Sequence, residues 1–175
     1  MKTVNKITIR PRPFLSSPDV FPHIPRYAAE ILARRGVQAE HELELKLKHL
    51  LAPNLKGLQH AIELIDQAID TQQKIVIVGD YDADGATSTT LMMLALREMG
   101  ADVCYLVPDR FKYGYGLTPA IADLAQERYQ PDLLITVDNG ISSHTGVERA
   151  QSYGMQVIIT DHHLTTKDTP QAEAV

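Results

Sequence analysis

Four short runs rich in β-branched and apolar residues, Lys74 to Gly79, Val103 to Val107, Leu133 to Val137 and Val157 to Thr160, constrain this chain more than any other feature. They recur roughly every 20 to 30 residues, and the stretches between them carry helical periodicity. Parallel strands need a crossover of about a dozen residues or more, which a helix fills. The expected fold class is α/β, a parallel sheet flanked by helices on both faces, with a helical N-terminal extension.

The helix after the first run is expected to end near Gly100. The next runs from about Pro119 to Arg128, with Thr118 as its cap and a proline where no amide hydrogen is needed. The last ends at Gly154, with Ser142 or Ser143 as the expected cap. Upstream, Pro11 to Pro25 reads as an extended arm. YAAEILARRG and ELELKLKHLL read as two short helices with Gly36 as a stop between them, and residues 55–72 as a longer helix. The predicted division is an arm with helices over 1–72 and an α/β unit over 73–175.

In a parallel sheet every strand end of one polarity lies along one edge, and ligands bind in the crevice outside the carboxyl ends. Three groups follow strands here: Asp80, Asp82 and Asp84 in GDYDADG, Asp138 in TVDNG, and Asp161, His162 and His163 in TDHH. Carboxylates brought together at a buried edge repel one another unless a cation intervenes, so a metal site is expected. Asp80-x-Asp82-x-Asp84-Gly85 also opens like an EF-hand loop. Its closing glutamate would fall at Leu91, and a strand precedes it where a helix is required. A P-loop fails too, because Ala86 follows Gly85 in place of lysine. Mixed carboxylate and imidazole donors favour Mn(II) or Mg(II), with imidazole tilting the choice to manganese. Two ions fit the number of carboxylates and would activate a water and clamp a phosphoryl group. Successive strand residues point to opposite sides, so the two histidines are expected to divide their work. The preferred assignment is His162 as ligand and His163 as a phosphate-contacting or acid/base group, with the reverse open.

The net charge of -5 is unusual for a protein that meets a polyanion. The five aspartates Asp80, Asp82, Asp84, Asp138 and Asp161 equal that imbalance, and two divalent ions would return four charges. In the loop from Pro108 to Leu117, Arg110 and Lys112 are candidates to hold phosphates near the acids. Phe111, Tyr113 and Tyr115 offer stacking faces, and for the tyrosines packing on the sheet edge is an equal alternative. The single cysteine, Cys104, cannot form an internal disulfide and is read as packing, in keeping with a reducing compartment. The N-terminal stretch has no apolar signal core and no segment is long enough to span a bilayer, so no membrane partner and a cytoplasmic location are expected.

Together, GDYDADGATST, VPDRFKYGYGL, TVDNGISS and DHH resemble the successive motifs of the DHH phosphoesterase superfamily, in particular its single-strand-specific DNA exonucleases. The resemblance covers about residue 24 to the end. It implies Asp82, Asp84, Asp138 and His162 as metal ligands, with Asp138 bridging two ions, and Asp80, Asp161 and His163 as completing the catalytic centre. It implies Mn2+ or Mg2+ as cofactor and single-stranded DNA as substrate, cut from the 5′ end in recombination and repair, with proteins of those pathways as partners. Arg110, Lys112, Tyr113 and Tyr115 would line the substrate path. Pyrophosphatases and oligonucleotide or cyclic-dinucleotide phosphodiesterases of the superfamily carry a histidine four residues before the first metal-binding aspartate. Here that position is Val78. A non-catalytic nucleic-acid-binding relative would have lost its acids, which are intact. The family pattern also has a further aspartate and C-terminal domains beyond DHH, so the sequence reads as the N-terminal part of a longer protein, inactive by itself.

Overall fold

The computed structural model describes residues 10–50, 52–165 and 168–175. Two compact units divide the chain, Met1–Pro53 and Asn54–Val175.

In the first unit, helix α1 (Arg26–Arg35) stops at Gly36, whose φ of 86° lets its amide reach the carbonyls of Leu32 and Ala33. Ala29 and Ala33 bury against Phe21, which the proline-rich arm carries inward. The helix expected over 42–51 is absent among the described residues, and Leu51 lies outside them. Two isolated 3-10 turns, Glu40–Leu43 and Leu47–His49, stand there instead. The reason lies in the pattern: Leu43, Leu45 and Leu47 alternate with charged residues at a period of two, so no helical face collects them. Leu45 and Leu47 are exposed.

The second unit runs α2 (Leu58–Asp70), β1 (Lys74–Val78), α3 (Ala83–Glu98), β2 (Asp102–Leu106), α4 (Arg110–Tyr113), α5 (Pro119–Tyr129), β3 (Leu133–Val137), α6 (His144–Ser152) and β4 (Gln156–Thr160). The four strands form one parallel sheet in the order β2-β1-β3-β4, with Ile75 paired to Val103 on one side and Leu133 on the other. The central strands are buried on both faces, which is why they read as unbroken apolar runs. Odd-numbered Ile75, Ile77, Leu133 and Ile135 pack with Leu64 and Ala68 of α2 and Met93 and Leu96 of α3. Even-numbered Val76, Val78 and Leu134 pack with Ile121, Ala122 and Ala125 of α5 and Val147 and Ala150 of α6. Cys104 is half-buried against this second layer, and burial pushes its thiol pKa up. Glu173 and Ala174 lie along the outer edge of β4, where Ile159 N–H donates to the Ala174 carbonyl at 2.9 Å.

Because β1 leads to β2 on one side while β3 lies on its other side, the switch point of the sheet falls between the carboxyl ends of β1 and β3. No helix among the described residues is long and apolar enough to cross a membrane.

Thr118 caps α5 as expected, its hydroxyl accepting from Ile121 N–H at 3.3 Å. Ser143 occupies the cap position of α6 but does not cap it. Its hydroxyl accepts from Leu117 N–H at 3.0 Å and so ties the loop before α5 to α6. There α6 comes so close that a Cβ on Gly146 would stand 1.8 Å from the Leu117 carbonyl oxygen. Thr118→Ala is therefore expected to cost about 1 kcal/mol of unfolding free energy, the usual worth of a cap. Gly146→Ala should cost more, since backbone must move to admit the methyl group. Urea denaturation of both variants, compared at constant slope, checks the order.

Candidate metal centre

The loop between β1 and α3 is held by two glycines. A Cβ on Gly79 would meet Thr89 Oγ1 at 2.0 Å, and one on Gly85 would meet the Asp80 carbonyl oxygen at 2.4 Å. Their lack of a side chain lets the first turn of α3 lie directly on the aspartate loop. Asp82 caps that helix, accepting from the amides of Gly85 at 3.0 Å and Asp84 at 3.1 Å. The Gly85 amide, with further donors, holds the Asp82 carboxyl below the usual range.

Across the switch point, Asp138 follows β3 in a left-handed conformation, φ 63°, rare for a residue with a side chain. Its amide donates to the Thr160 carbonyl at 3.0 Å, and its own carbonyl accepts from the Tyr115 hydroxyl at 3.2 Å. The side chain is nearly buried, and Oδ1 lies 2.9 Å from His162 Nε2. Burial pushes the Asp138 carboxyl up, and the neighbouring Asp82 adds to the rise while His162 opposes it. Two carboxylates on different strand ends thus press against each other at one point.

After β4, Asp161 turns back into the protein. Its Oδ2 accepts from Ile141 N–H at 2.9 Å, and its Oδ1 accepts from His163 N–H at 3.0 Å and lies 2.7 Å from His163 Nδ1. Burial alone would raise this carboxyl, but those donors outweigh it and hold it below the usual range. The same contact raises the His163 pKa. With Nδ1 turned to Asp161, Nε2 is the nitrogen left to face outward.

The third wall comes from the loop after β2. Arg110 Nη2 pairs with Asp80 Oδ2 at 2.6 Å, while its guanidinium lies 4.0 Å over the Tyr81 ring and 5.2 Å from that of Tyr115. Lys112 Nζ stands 4.9 Å over the Tyr113 ring, and Tyr113 packs against the α5 and α6 layer. Among the described residues no hydrogen bond or ion pair joins either of them to the acids.

Asp80, Asp82, Asp138, Asp161, His162, His163, Arg110 and Tyr115 are thus linked at one sheet edge. Among the described residues, ligand atoms of Asp138, His162 and His163 all lie within 4.8 Å of one another. Asp84 sits exposed in the first turn of α3, outside that tight group. One carboxylate oxygen and two imidazole nitrogens, beside a second carboxylate that needs charge compensation, make a donor set suited to a hard or borderline divalent cation. Two residues not foreseen from the sequence belong to the site. Tyr81 is hidden between the aspartates of DYD, and Asn139 is hidden by the aspartate before it. Asn139 is buried and donates through Nδ2 to the carbonyls of Val78 at 3.1 Å and Val137 at 2.9 Å, clasping the ends of β1 and β3.

Residues 74–175 match the model of the DHH family, N-terminal domain. The chain belongs to the DHH family. Among curated relatives it is 45% identical over 172 residues to the single-stranded-DNA-specific exonuclease RecJ of Escherichia coli (strain K12), covering 97% of this chain and 30% of that protein. It is 51% identical over 143 residues to RecJ of Haemophilus influenzae, covering 81% of this chain and 25% of that one. A crystal structure of exonuclease RecJ bound to manganese superposes with a TM-score of 0.66 at 38% identity, over 72% of this chain and 32% of that one. RecJ from Thermus thermophilus in complex with Mn2+ gives 0.62 at 32% identity, over 87% of this chain and 22% of that one. This DHH-family chain spans about 30% or less of the length of these curated relatives.

The Asp161–His163 pair sets a pH dependence in the metal-free chain. The lowered Asp161 carboxyl stabilises the fold above its ordinary value of about 3.9, and that is lost as pH falls through the depressed pKa. The raised His163 stabilises fully below about 6.5, and that is lost as pH rises through the elevated pKa. With chelator present, the difference in melting temperature between the parent and Asp161→Asn should peak between about pH 4 and 6.5 and shrink on both sides. Thermal scans from acid to alkaline pH check it, and a flat difference would remove the pair from the balance.

Proposed function

We propose that the chain is the N-terminal, metal-bearing part of a single-stranded-DNA exonuclease of the RecJ type, hydrolysing phosphodiester bonds 5′ to 3′ in recombination and repair, in the cytoplasm. The observation that carries this reading is the meeting of Asp138 with His162, His163 and Asp82 at the switch point of the sheet. Identity to the E. coli enzyme over nearly the whole chain supports the substrate class. Burial of Val78 at 1% exposure argues against the histidine-bearing phosphodiesterases and pyrophosphatases of the family, since no ligand is offered from that strand position.

Residues 73–175 carry the chemistry; of the extension drawn over 1–72, α2 packs under the sheet as part of the second unit. Asp82, Asp84, Asp138 and His162 would hold Mn2+ or Mg2+, two ions in the complete protein. Bound there, the metal supplies Lewis-acid stabilisation of a phosphoryl group and a water of lowered pKa. Asp80 holds Arg110 toward the site. Asp161 fixes the His163 ring, leaving Nε2 free to give a proton to a leaving or phosphate oxygen. Lys112, Tyr113 and Tyr115 border the strand path, with Tyr115 also bracing the Asp138 backbone through its hydroxyl.

The tests belong in a protein of the relatives' full length. Asp138→Ala should lower Mn2+-dependent hydrolysis of a 5′-labelled single-stranded oligonucleotide by at least about 100-fold, while Asp161→Asn, which only loosens His163, should fall within about 10 to 100-fold. Parental activity in Asp138→Ala would sink the metal assignment.

Arg110→Ala should weaken single-stranded DNA binding and reduce the slope of log affinity against log salt by about 0.7, the share of one phosphate contact. Metal titration by calorimetry should scarcely change. An unaltered slope would confine Arg110 to its pairing with Asp80.

A further inference from the structure

Among the described residues, two of the five buried side-chain atoms without a hydrogen-bond partner are Arg110 Nε and Asn139 Oδ1. Both residues line the same small cavity, walled also by Gly79, Asp80, Tyr115 and Gly116. One atom is a donor that cannot accept and the other an acceptor that cannot donate, so neither can be satisfied by a group of its own kind. The orientation of the Asn139 amide is settled by its neighbours: the carbonyls of Val78 and Val137 only accept, so Nδ2 must face them and Oδ1 is left over.

We propose that this cavity is a binding site for one water molecule, which accepts from Arg110 Nε–H and donates to Asn139 Oδ1, making Asn139 a positioning residue for Arg110. Three features select water. The cavity measures about 10 Å3, at the lower end of the 10–15 Å3 that one water needs. Its wall holds one cationic and one anionic side chain already paired at 2.6 Å, so a charged occupant gains nothing that its desolvation would not remove. Water both accepts and donates at a single oxygen, and it is the smallest neutral molecule in the cell's abundant supply that does so.

The bridge has a mechanical consequence. Arg110 is already held by Asp80 and Tyr81, both from the loop after β1. Through the water it is also tied to Asn139, which clasps the ends of β1 and β3 beside Asp138. The guanidinium is then fixed against both strand ends that carry the acids. Nη1 has no partner among the described residues and remains for an external anion.

Nuclear magnetic resonance of the 175-residue chain tests this without any activity, so its outcome is independent of the proposed nuclease function. The Arg110 Nε–H signal, assigned by its disappearance in Arg110→Lys, should exchange slowly and show a cross-peak to a long-lived water. Asn139→Leu, which fills similar volume without an acceptor, should abolish the cross-peak and speed Nε–H exchange at least about tenfold, with backbone amides distant from the site unmoved. If that variant fails to fold, Asn139→Ala is read the same way. No water cross-peak in the parent chain overturns the site. A cross-peak that survives in a folded Asn139 variant overturns the role of Asn139.

Discussion

Repulsion between carboxylates gathered at one sheet edge is the constraint around which the second unit is organised. The parallel sheet brings the aspartate loop, Asp138 and Asp161 together whether or not their charges agree. The protein answers each acid with a different source of positive potential. Asp80 takes a guanidinium, Asp82 the amino end of α3, Asp138 the ring of His162 and Asp161 the ring of His163. Asp138 is the least compensated of these, since burial raises its pKa despite the imidazole. The point where compensation is weakest is also where three ligand atoms converge. A cation there would relieve the very strain that the fold creates.

Holding the acids at that distance depends on close backbone contact. Gly79 and Gly85 let α3 rest on the aspartate loop, and any side chain at Gly85 would push the Asp80 backbone away. Asn139 then fixes the loops after β1 and β3 to each other through two strand-end carbonyls. The left-handed backbone of Asp138 fits this frame: its amide and carbonyl are both engaged, by Thr160 and Tyr115, so the strained conformation is over-determined by its surroundings.

How much of this is legible in the sequence follows from the range of each interaction. The strands and their approximate spacing are readable, because a strand buried on both faces has an unbroken apolar signature. The cap of α5 is readable because Thr118 and Ile121 are close along the chain. Ser143 reads as a cap but is not one, because its hydroxyl answers Leu117, 26 residues away, and no local pattern carries that contact. The helix expected over 42–51 fails for a different reason. Its composition favours helix, but its alternation offers no face to bury, and propensity alone does not hold a short helix together. The acids and histidines can be found because strand ends converge by topology. Tyr81 and Asn139 cannot, since a stacked guanidinium and an amide clasping two strands exist only once the sheet is assembled.

The electrostatics also link the proposed cofactor to the proposed substrate. A chain with a net charge of -5, five of its acids beside or at the site, repels a polyanion before any cation is bound. Arg110 changes this little in the resting arrangement, because Asp80 offsets its charge through Nη2 and, among the described residues, only Nη1 is left for an anion. Divalent ions at Asp82 and Asp138 would reverse the local sign, and a phosphate could then compete with Asp80 for the guanidinium without leaving that acid uncompensated. By thermodynamic reciprocity a polyanion that binds better to the metal-loaded chain must also tighten the metal. On the proposed function, the acidity that looks adverse to a nucleic-acid enzyme would thus become the means by which metal and strand bind together.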